Sequence, residues 1–88
     1  MVYEFTYTPR FRKHFKNLGA QEKKQLKNKL ELLSENPSHP SLRVKHIQGT
    51  DDLFECSINI DIRIICYYEG DKMIILLDVG HHDILYKY

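Results

Sequence analysis

The sequence predicts an α+β fold: an amino-terminal strand, a helical hairpin, then an antiparallel meander, giving a curved four-stranded sheet with helices on one face. Three observations predict it. Leu53 to Tyr68 alternates with period two, placing Phe54, Cys56, Ile58, Ile60, Ile62, Ile64, Cys66 and Tyr68 on one face and Glu55, Ser57, Asn59, Asp61, Arg63, Ile65 and Tyr67 on the other. Phe11, Phe15 and Leu18, then Leu26, Leu30 and Leu33, recur at helical spacing. Turn-forming residues separate the later apolar runs at hairpin distances. The 88 residues suffice for a single domain, residues 1–88, with one two-layer core.

Val2 to Tyr7 alternates and reads as the first strand. Thr8-Pro9 starts a helix, because threonine caps free amides and proline is preset for the first helical position, and Gly19 ends it. A second helix runs from about Ala20 to Glu35, stopped by Asn36-Pro37. Ser38 to Ser41 is a link, and Leu42 to Ile47 a short extended segment leading to the turn Gly49-Thr50-Asp51-Asp52. Strands follow over Leu53–Ile58, Ile62–Glu69 and Met73–Val79, parted by Asn59-Ile60-Asp61 and Gly70-Asp71. The last of these, MIILLDV, is apolar on both faces and is expected to be central or covered on both sides.

The formal net charge of +1 hides an uneven distribution. Between Thr8 and Leu30 lie Arg10, Arg12, Lys13, Lys16, Lys23, Lys24, Lys27 and Lys29 against Glu22 alone, while acids collect from Glu31 onward. Such a patch attracts a polyanion, and lysines on solvated helix faces also keep small proteins soluble. Cys56 and Cys66 both fall on the core face, so two reduced, buried thiols are expected. The longest apolar runs fall well short of the roughly 20 residues that span a bilayer, and the opening MVYEFTYTPRF lacks a signal-peptide plan, so a cytoplasmic protein without a membrane partner is expected.

Chemistry concentrates in the last third. Arg63 sits in an apolar strand but on the face turned from the core, where a guanidinium suits a phosphate or carboxylate. An ion pair with Glu55, Asp61 or Glu69 on the same face explains it equally well from spacing alone. The next strand runs into Val79-Gly80-His81-His82-Asp83-Ile84-Leu85-Tyr86. Adjacent His81 and His82 point to opposite faces if the strand continues, so only one can share a site with Arg63. No cofactor and no metal are expected, since His81, His82, Asp83 and His46 offer poor ligand geometry and neither CxxC nor HxxxH spacing occurs.

The order of elements, the lysine-rich hairpin, the mid-chain Lys45-His46-Ile47-Gln48-Gly49, the strand Ile62-Arg63-Ile64-Ile65 and the ending from Val79 to Tyr86 together resemble the RelE/ParE superfamily of type II toxins. The glycine, histidine and aromatic of the ending are most similar to the YafQ-type branch of ribosome-dependent messenger RNA endonucleases, whose histidine and aromatic fall at His82 and Tyr86. Arg63 matches the strand arginine of the superfamily, and Lys45 or His46 falls where such proteins carry basic or histidine residues. Ile58, Asn59 and Asp61 stand where many relatives carry a further basic or histidine residue.

The resemblance implies a toxin that cuts messenger RNA on the ribosome without a metal and is held by a cognate antitoxin. A non-catalytic inhibitor of the same fold, directed at a target such as gyrase, is the alternative. Such cleavage needs a base for the 2′-hydroxyl, a cation for the phosphorane and an acid for the leaving oxygen. The catalytic candidates are His82, Arg63, Tyr86 and His46, with His81 and Asp83 secondary. The RNA-binding candidates are Lys45, Arg10, Lys13, Lys16, Lys23 and Lys27. Tyr86 would stack on a base or donate a proton, or else close the core beside Leu85, and Asp83 would cap a turn.

Overall fold

The computed structural model describes residues 2–88. Strand β1 (Glu4–Tyr7) leads into helix α1 (Pro9–Phe15) and helix α2 (Ala20–Glu35); a 3₁₀ turn (Pro40–Leu42) precedes β2 (Lys45–His46), β3 (Phe54–Ser57), β4 (Ile62–Glu69) and β5 (Met73–His81), and a 3₁₀ helix (His82–Lys87) follows. The strands form one sheet in the order β1-β5-β4-β3-β2, with β1 parallel to β5 and the other pairs antiparallel. It has five strands rather than the expected four because Lys45 and His46 pair with Glu55 and Phe54.

Thr8 joins the first strand to the first helix. Its hydroxyl accepts from the Phe11 amide at 3.2 Å, capping α1, and donates to the carbonyls of Leu76 and Leu77 at 2.9 Å each. Helix α1 ends at Phe15, before Gly19, and a turn carries Leu18 into the core. Gly19 instead caps α2, where the Glu22 carboxylate accepts its amide at 2.9 Å. Phe11, Leu18, Leu26 and Leu33 pack on the helix side of the sheet against Cys56, Ile58, Ile62, Ile64, Cys66, Ile74, Leu76 and Val79. Ile60, expected on that face, is 93% exposed at the tip of the β3–β4 turn. Asn59 shapes this turn by accepting the amides of Asp61 and Ile62, and its side-chain amide donates to Gln25 on α2 at 2.7 Å.

Two departures decide what the sheet presents. The first is a bulge in β5: Ile65 pairs with Asp78 but Cys66 with Leu76, leaving Leu77 as an extra residue. Under strict alternation Asp78 would follow Ile74 and Leu76 into the core. The extra residue reverses the phase, so Val79 joins the core and Asp78 shares the face of Ile65. The second is that β5 extends to His81, after which the chain folds back as a 3₁₀ helix. Ile84 then lies against Gly80, where a Cβ would come within 3.0 Å of its Cδ1, and forms a second cluster with Ile47 and Ile65. The face turned from the helices is therefore partly covered rather than open.

Asp78 is 1% exposed and holds three elements at once. Its Oδ1 meets His14 Nδ1 of α1 at 2.5 Å and accepts the Val79 amide at 2.8 Å, while its Oδ2 accepts the Tyr88 hydroxyl at 2.8 Å. Arg10 in turn donates to the Tyr88 oxygen at 3.1 Å. Burial is the main reason the Tyr88 phenol titrates above its ordinary range. Replacing Asp78 by alanine leaves His14, Tyr88 and a buried amide without their acceptor. The expected cost is about 3 kcal/mol, a fall in melting temperature on the order of 15 °C. His14→Ala, which removes a partner whose side chain is 34% exposed, should cost clearly less. Urea unfolding of the two variants measures both, and equal losses would show that His14 rather than the carboxylate holds the network.

Candidate functional site

The end of the sheet where β4 begins and β5 finishes gathers most of the chemistry. Arg63 pairs with Ser57 on one side and Gly80 on the other, and Ile62 pairs with His81. The Arg63 Nη1 donates to the carbonyls of Asn59 at 2.6 Å and Ile62 at 3.1 Å, which fixes the guanidinium while leaving its other nitrogens free of these two bonds. Among the described residues it has no carboxylate within salt-bridge distance, so the cross-strand pairs with Glu55, Asp61 or Glu69 do not form. Asp61 is taken instead by His81, Oδ2 to Nδ1 at 2.7 Å.

His82 opens the 3₁₀ helix and is exposed, as are Asp83 and Tyr86, the last with 86% of its surface open. Asp83 lies in the first turn of that helix, and Tyr86 does not close the core; Ile84 does. Because the strand ends at His81, the two histidines are separated by the change from strand to 3₁₀ helix rather than by alternation. A cleft of about 210 Å³ between α1 and this end of β5 is lined by His14, Asn17, Gly80, His81, Asp83 and Lys87, among others. His14 and His81 thus border one cleft, and each has its Nδ1 engaged by a carboxylate.

His46 and Lys45 lie apart from this group. His46 pairs with Phe54, so it shares the helix-side face, and its ring meets Phe54 edge-on at 5.5 Å while Nε2 faces the Asp51 carbonyl at 3.3 Å. Lys45 is on the opposite face beside Glu55. The structure brings Arg63, Asp61 and His81 to one end of the sheet, with His82 next in the chain, and leaves His46 on the edge strand.

The basic helices surround an apolar groove. Between α1 and α2 a groove of about 910 Å³ is floored by Phe11, Phe15, Leu26 and Leu30 and rimmed by Arg12, Lys16, Lys23, Lys24 and Lys27. Lys23 lies 5.5 Å from the Phe15 ring centroid and Arg12 5.9 Å from that of Tyr7. Lys13 is exposed on α1, and Arg10 is drawn to Tyr88.

Arg43 and His14 were not singled out by the sequence. Arg43 is exposed with a left-handed backbone, φ 47°, just after the 3₁₀ turn. Nothing local marks it, since it is one cation in a polar link. Both cysteines are buried and unpaired, and desolvation pushes their thiols up to about 12, which makes them poor nucleophiles.

The His81 pKa is raised, chiefly by its hydrogen bond to Asp61. A raised value means that the pair contributes below the unfolded pKa of ~6.5 and that the contribution is lost as pH rises through the folded value. At neutral pH a larger share of His81 is therefore imidazolium than an isolated histidine would show. A ¹H–¹³C titration of the imidazoles should place His81 above ~6.5, and Asp61→Asn should return it there. A His81 curve unaffected by Asp61→Asn would mean that the pair does not form in solution.

A family model for the ParE toxin of type II toxin–antitoxin systems, parDE, matches residues 5–86. A Methanocaldococcus jannaschii protein described as a candidate toxin, RelE4, is 29% identical over 92 residues, covering 98% of this chain and 93% of its own. The toxin of the archaeal RelE–RelB complex from Pyrococcus horikoshii OT3 superposes with a TM-score of 0.75 at 21% identity, over 92% of this chain and 96% of the other. That of the E. coli DinJ–YafQ toxin–antitoxin complex gives 0.76 at 20% identity, over 98% and 99%. Both share the α+β fold. With the family model spanning nearly the whole sheet and both helices, the chain belongs to the ParE toxin family of type II toxin–antitoxin systems, within the RelE/ParE superfamily.

Proposed function

We propose that this toxin cleaves messenger RNA on the ribosome by metal-independent acid–base chemistry at the β4–β5 end of the sheet. The observation that carries the reading is Arg63, fixed by two carbonyls and without a carboxylate partner among the described residues, at the end of the sheet where β5 gives way to the exposed His82. Arg63 would stabilise charge on the phosphorane, since a guanidinium stays protonated at any cellular pH. His82, an unburied imidazole, would take the 2′-hydroxyl proton or return one to the leaving oxygen, whereas His81, paired with Ile62, lies on the helix-side face opposite Arg63 and stands outside this set. Tyr86, fully presented to solvent, would stack on a base. A shallow site on so small a protein positions RNA poorly, and the ribosome would supply that order.

The partner would be an antitoxin, seated in the groove between α1 and α2. An apolar floor ringed by five cations suits an amphipathic segment carrying acidic residues. This assigns Lys16, Lys23 and Lys27 first to a protein partner, and to ribosomal RNA when that partner is absent. Toxin and antitoxin would both act in the cytoplasm, and no helix among the described residues is long and apolar enough to cross a membrane.

Expression without a partner in a bacterial host should arrest growth and translation, with primer extension showing cuts in translated messages. Arg63→Ala and His82→Ala should each lower cleavage at least about a hundredfold with an unchanged circular dichroism spectrum. His81→Ala is the internal control and should be milder, because its pairing with Ile62 turns it to the face opposite Arg63. Wild-type cutting by His82→Ala together with loss in His81→Ala would move the base to His81. Arrest of DNA synthesis without messenger RNA cuts would instead mark a non-catalytic inhibitor of a target such as gyrase.

A further inference from the structure

On the Ser57 side of Arg63, away from Gly80, lies a second cleft of about 330 Å³. Its lining includes Lys29 of α2, Arg43, Ser57, Asn59 and Arg63, and no acidic side chain. The register explains the convergence. Lys45 pairs with Glu55 two residues before Ser57, Arg43 precedes Lys45 by two residues, and Ser57 itself pairs with Arg63. Arg63 lies beside Ser57 through that pairing, and Arg43 lines the same cleft from the link that precedes β2. The left-handed conformation of Arg43 sits where the chain turns from the 3₁₀ turn toward β2. Lys29 is positioned from the helix side, where its Nζ donates to Ser41 Oγ at 3.1 Å. None of the three cations is within salt-bridge distance of a carboxylate among the described residues.

Three like charges around one cleft repel one another, and an anion is the group that offsets this. The volume lies at the lower end of the range of about 300–1,000 Å³ for small-ligand sites, suited to a phosphate with its sugar. Planar guanidinium forks from two sides and a point-charge ammonium from a third match the oxygens of a phosphodiester. Ser57 and Asn59 add neutral polar groups, and Ile58 and Ile60 an apolar wall against which a sugar or base edge can lie. The cleft is also continuous with the proposed reacting end, because Arg63 faces Ser57 on one side and Gly80 on the other.

We propose that Lys29, Arg43 and Arg63 form a binding cleft for the phosphodiester backbone of single-stranded RNA, holding the strand beside the bond to be cut. The assignment of RNA as the ligand rests on the nuclease reading above, whereas the cleft's affinity for a phosphodiester does not depend on turnover. Arg63 is common to both, so the test uses the two residues outside the reacting set. Lys29→Gln with Arg43→Gln removes two charges and keeps a donor toward Ser41. Lys72→Gln, in the turn at the opposite end of β4 and β5, is the control.

A fluorescent, uncleavable 2′-O-methyl oligoribonucleotide is titrated with each protein across a series of salt concentrations, and inorganic phosphate is titrated into ¹⁵N-labelled protein. The double variant should bind the oligonucleotide about tenfold more weakly at low salt, with the slope of log affinity against log salt reduced by about 0.7 per cation removed. Lys72→Gln should bind as wild type. Phosphate should shift the amides of Arg43, Ser57 and Asn59 in the wild type and not in the double variant. An unchanged slope, or an equal loss in Lys72→Gln, overturns the proposal. Phosphate shifts without any change in oligonucleotide affinity reassign the cleft to a free anion and also overturn it. If the wild type never cuts RNA but the localised binding holds, the nuclease reading fails and the cleft stands; if the double variant cuts and binds as wild type, the cleft fails and the nuclease reading stands.

Discussion

The buried carboxylate of Asp78 is the constraint on which the working end of the molecule depends. A carboxylate so far from water is tolerated only when its oxygens are satisfied, and here three donors come from three parts of the chain: His14 in α1, the Val79 amide in β5 and the Tyr88 hydroxyl beyond the 3₁₀ helix. The bulge at Leu77 makes this possible by turning Asp78 out of the helix-side core and Val79 into it. The same network therefore fixes where β5 ends and how the segment bearing His82 and Tyr86 folds back. The position of this segment and the burial of a carboxylate are joined at one residue. Removing the charge should disturb chemistry through position as much as through folding.

Periodicity conveys a great deal of this architecture and stops at definite places. The alternation from Phe54 to Tyr68 assigns Cys56, Ile58, Ile62, Ile64 and Cys66 to the core because a regular antiparallel strand has only two faces. Ile60 escapes the pattern because it is at a turn tip held by Asn59, where alternation no longer applies. The bulge in β5 is hidden because MIILLDV is apolar at nearly every position, so a one-residue slip leaves no mark in the pattern except Asp78. The partial covering of the second face depends on Ile84 meeting Gly80, a contact between neighbours in sequence that only the 3₁₀ fold brings together.

The site was legible where residue type alone limits the options. Arg63 turned from the helix-side core follows from the strand pattern, whereas spacing alone allowed it an ion pair with Glu55, Asp61 or Glu69 that does not form, Asp61 being drawn to His81. His46 shows the opposite limit. Two residues of strand carry too little pattern to say which face each takes, and pairing with Phe54 sends the imidazole to the helix side. Arg43 was invisible because it meets Ser57 and Arg63 only in a cleft between segments distant in sequence, a relation that no local window contains.

The two cationic surfaces differ in what surrounds the charge, and that difference separates their partners. Around the α1–α2 groove the cations stand over Phe15 and Tyr7 and rim apolar ground, an arrangement that stabilises itself through cation–π contact and offers buried area to a protein segment. At the Arg63 cleft the lining mixes Ser57 and Asn59 with Ile58 and Ile60, and among the described residues no aromatic ring stands under the charges. Cys56 gauges the reach of that field. Lys29 and Arg63 both act to lower its thiol pKa, yet burial outweighs them and holds the thiol at about 12. Unpaired cations kept together at a cost in self-repulsion are what a surface shaped by function, rather than by stability, retains.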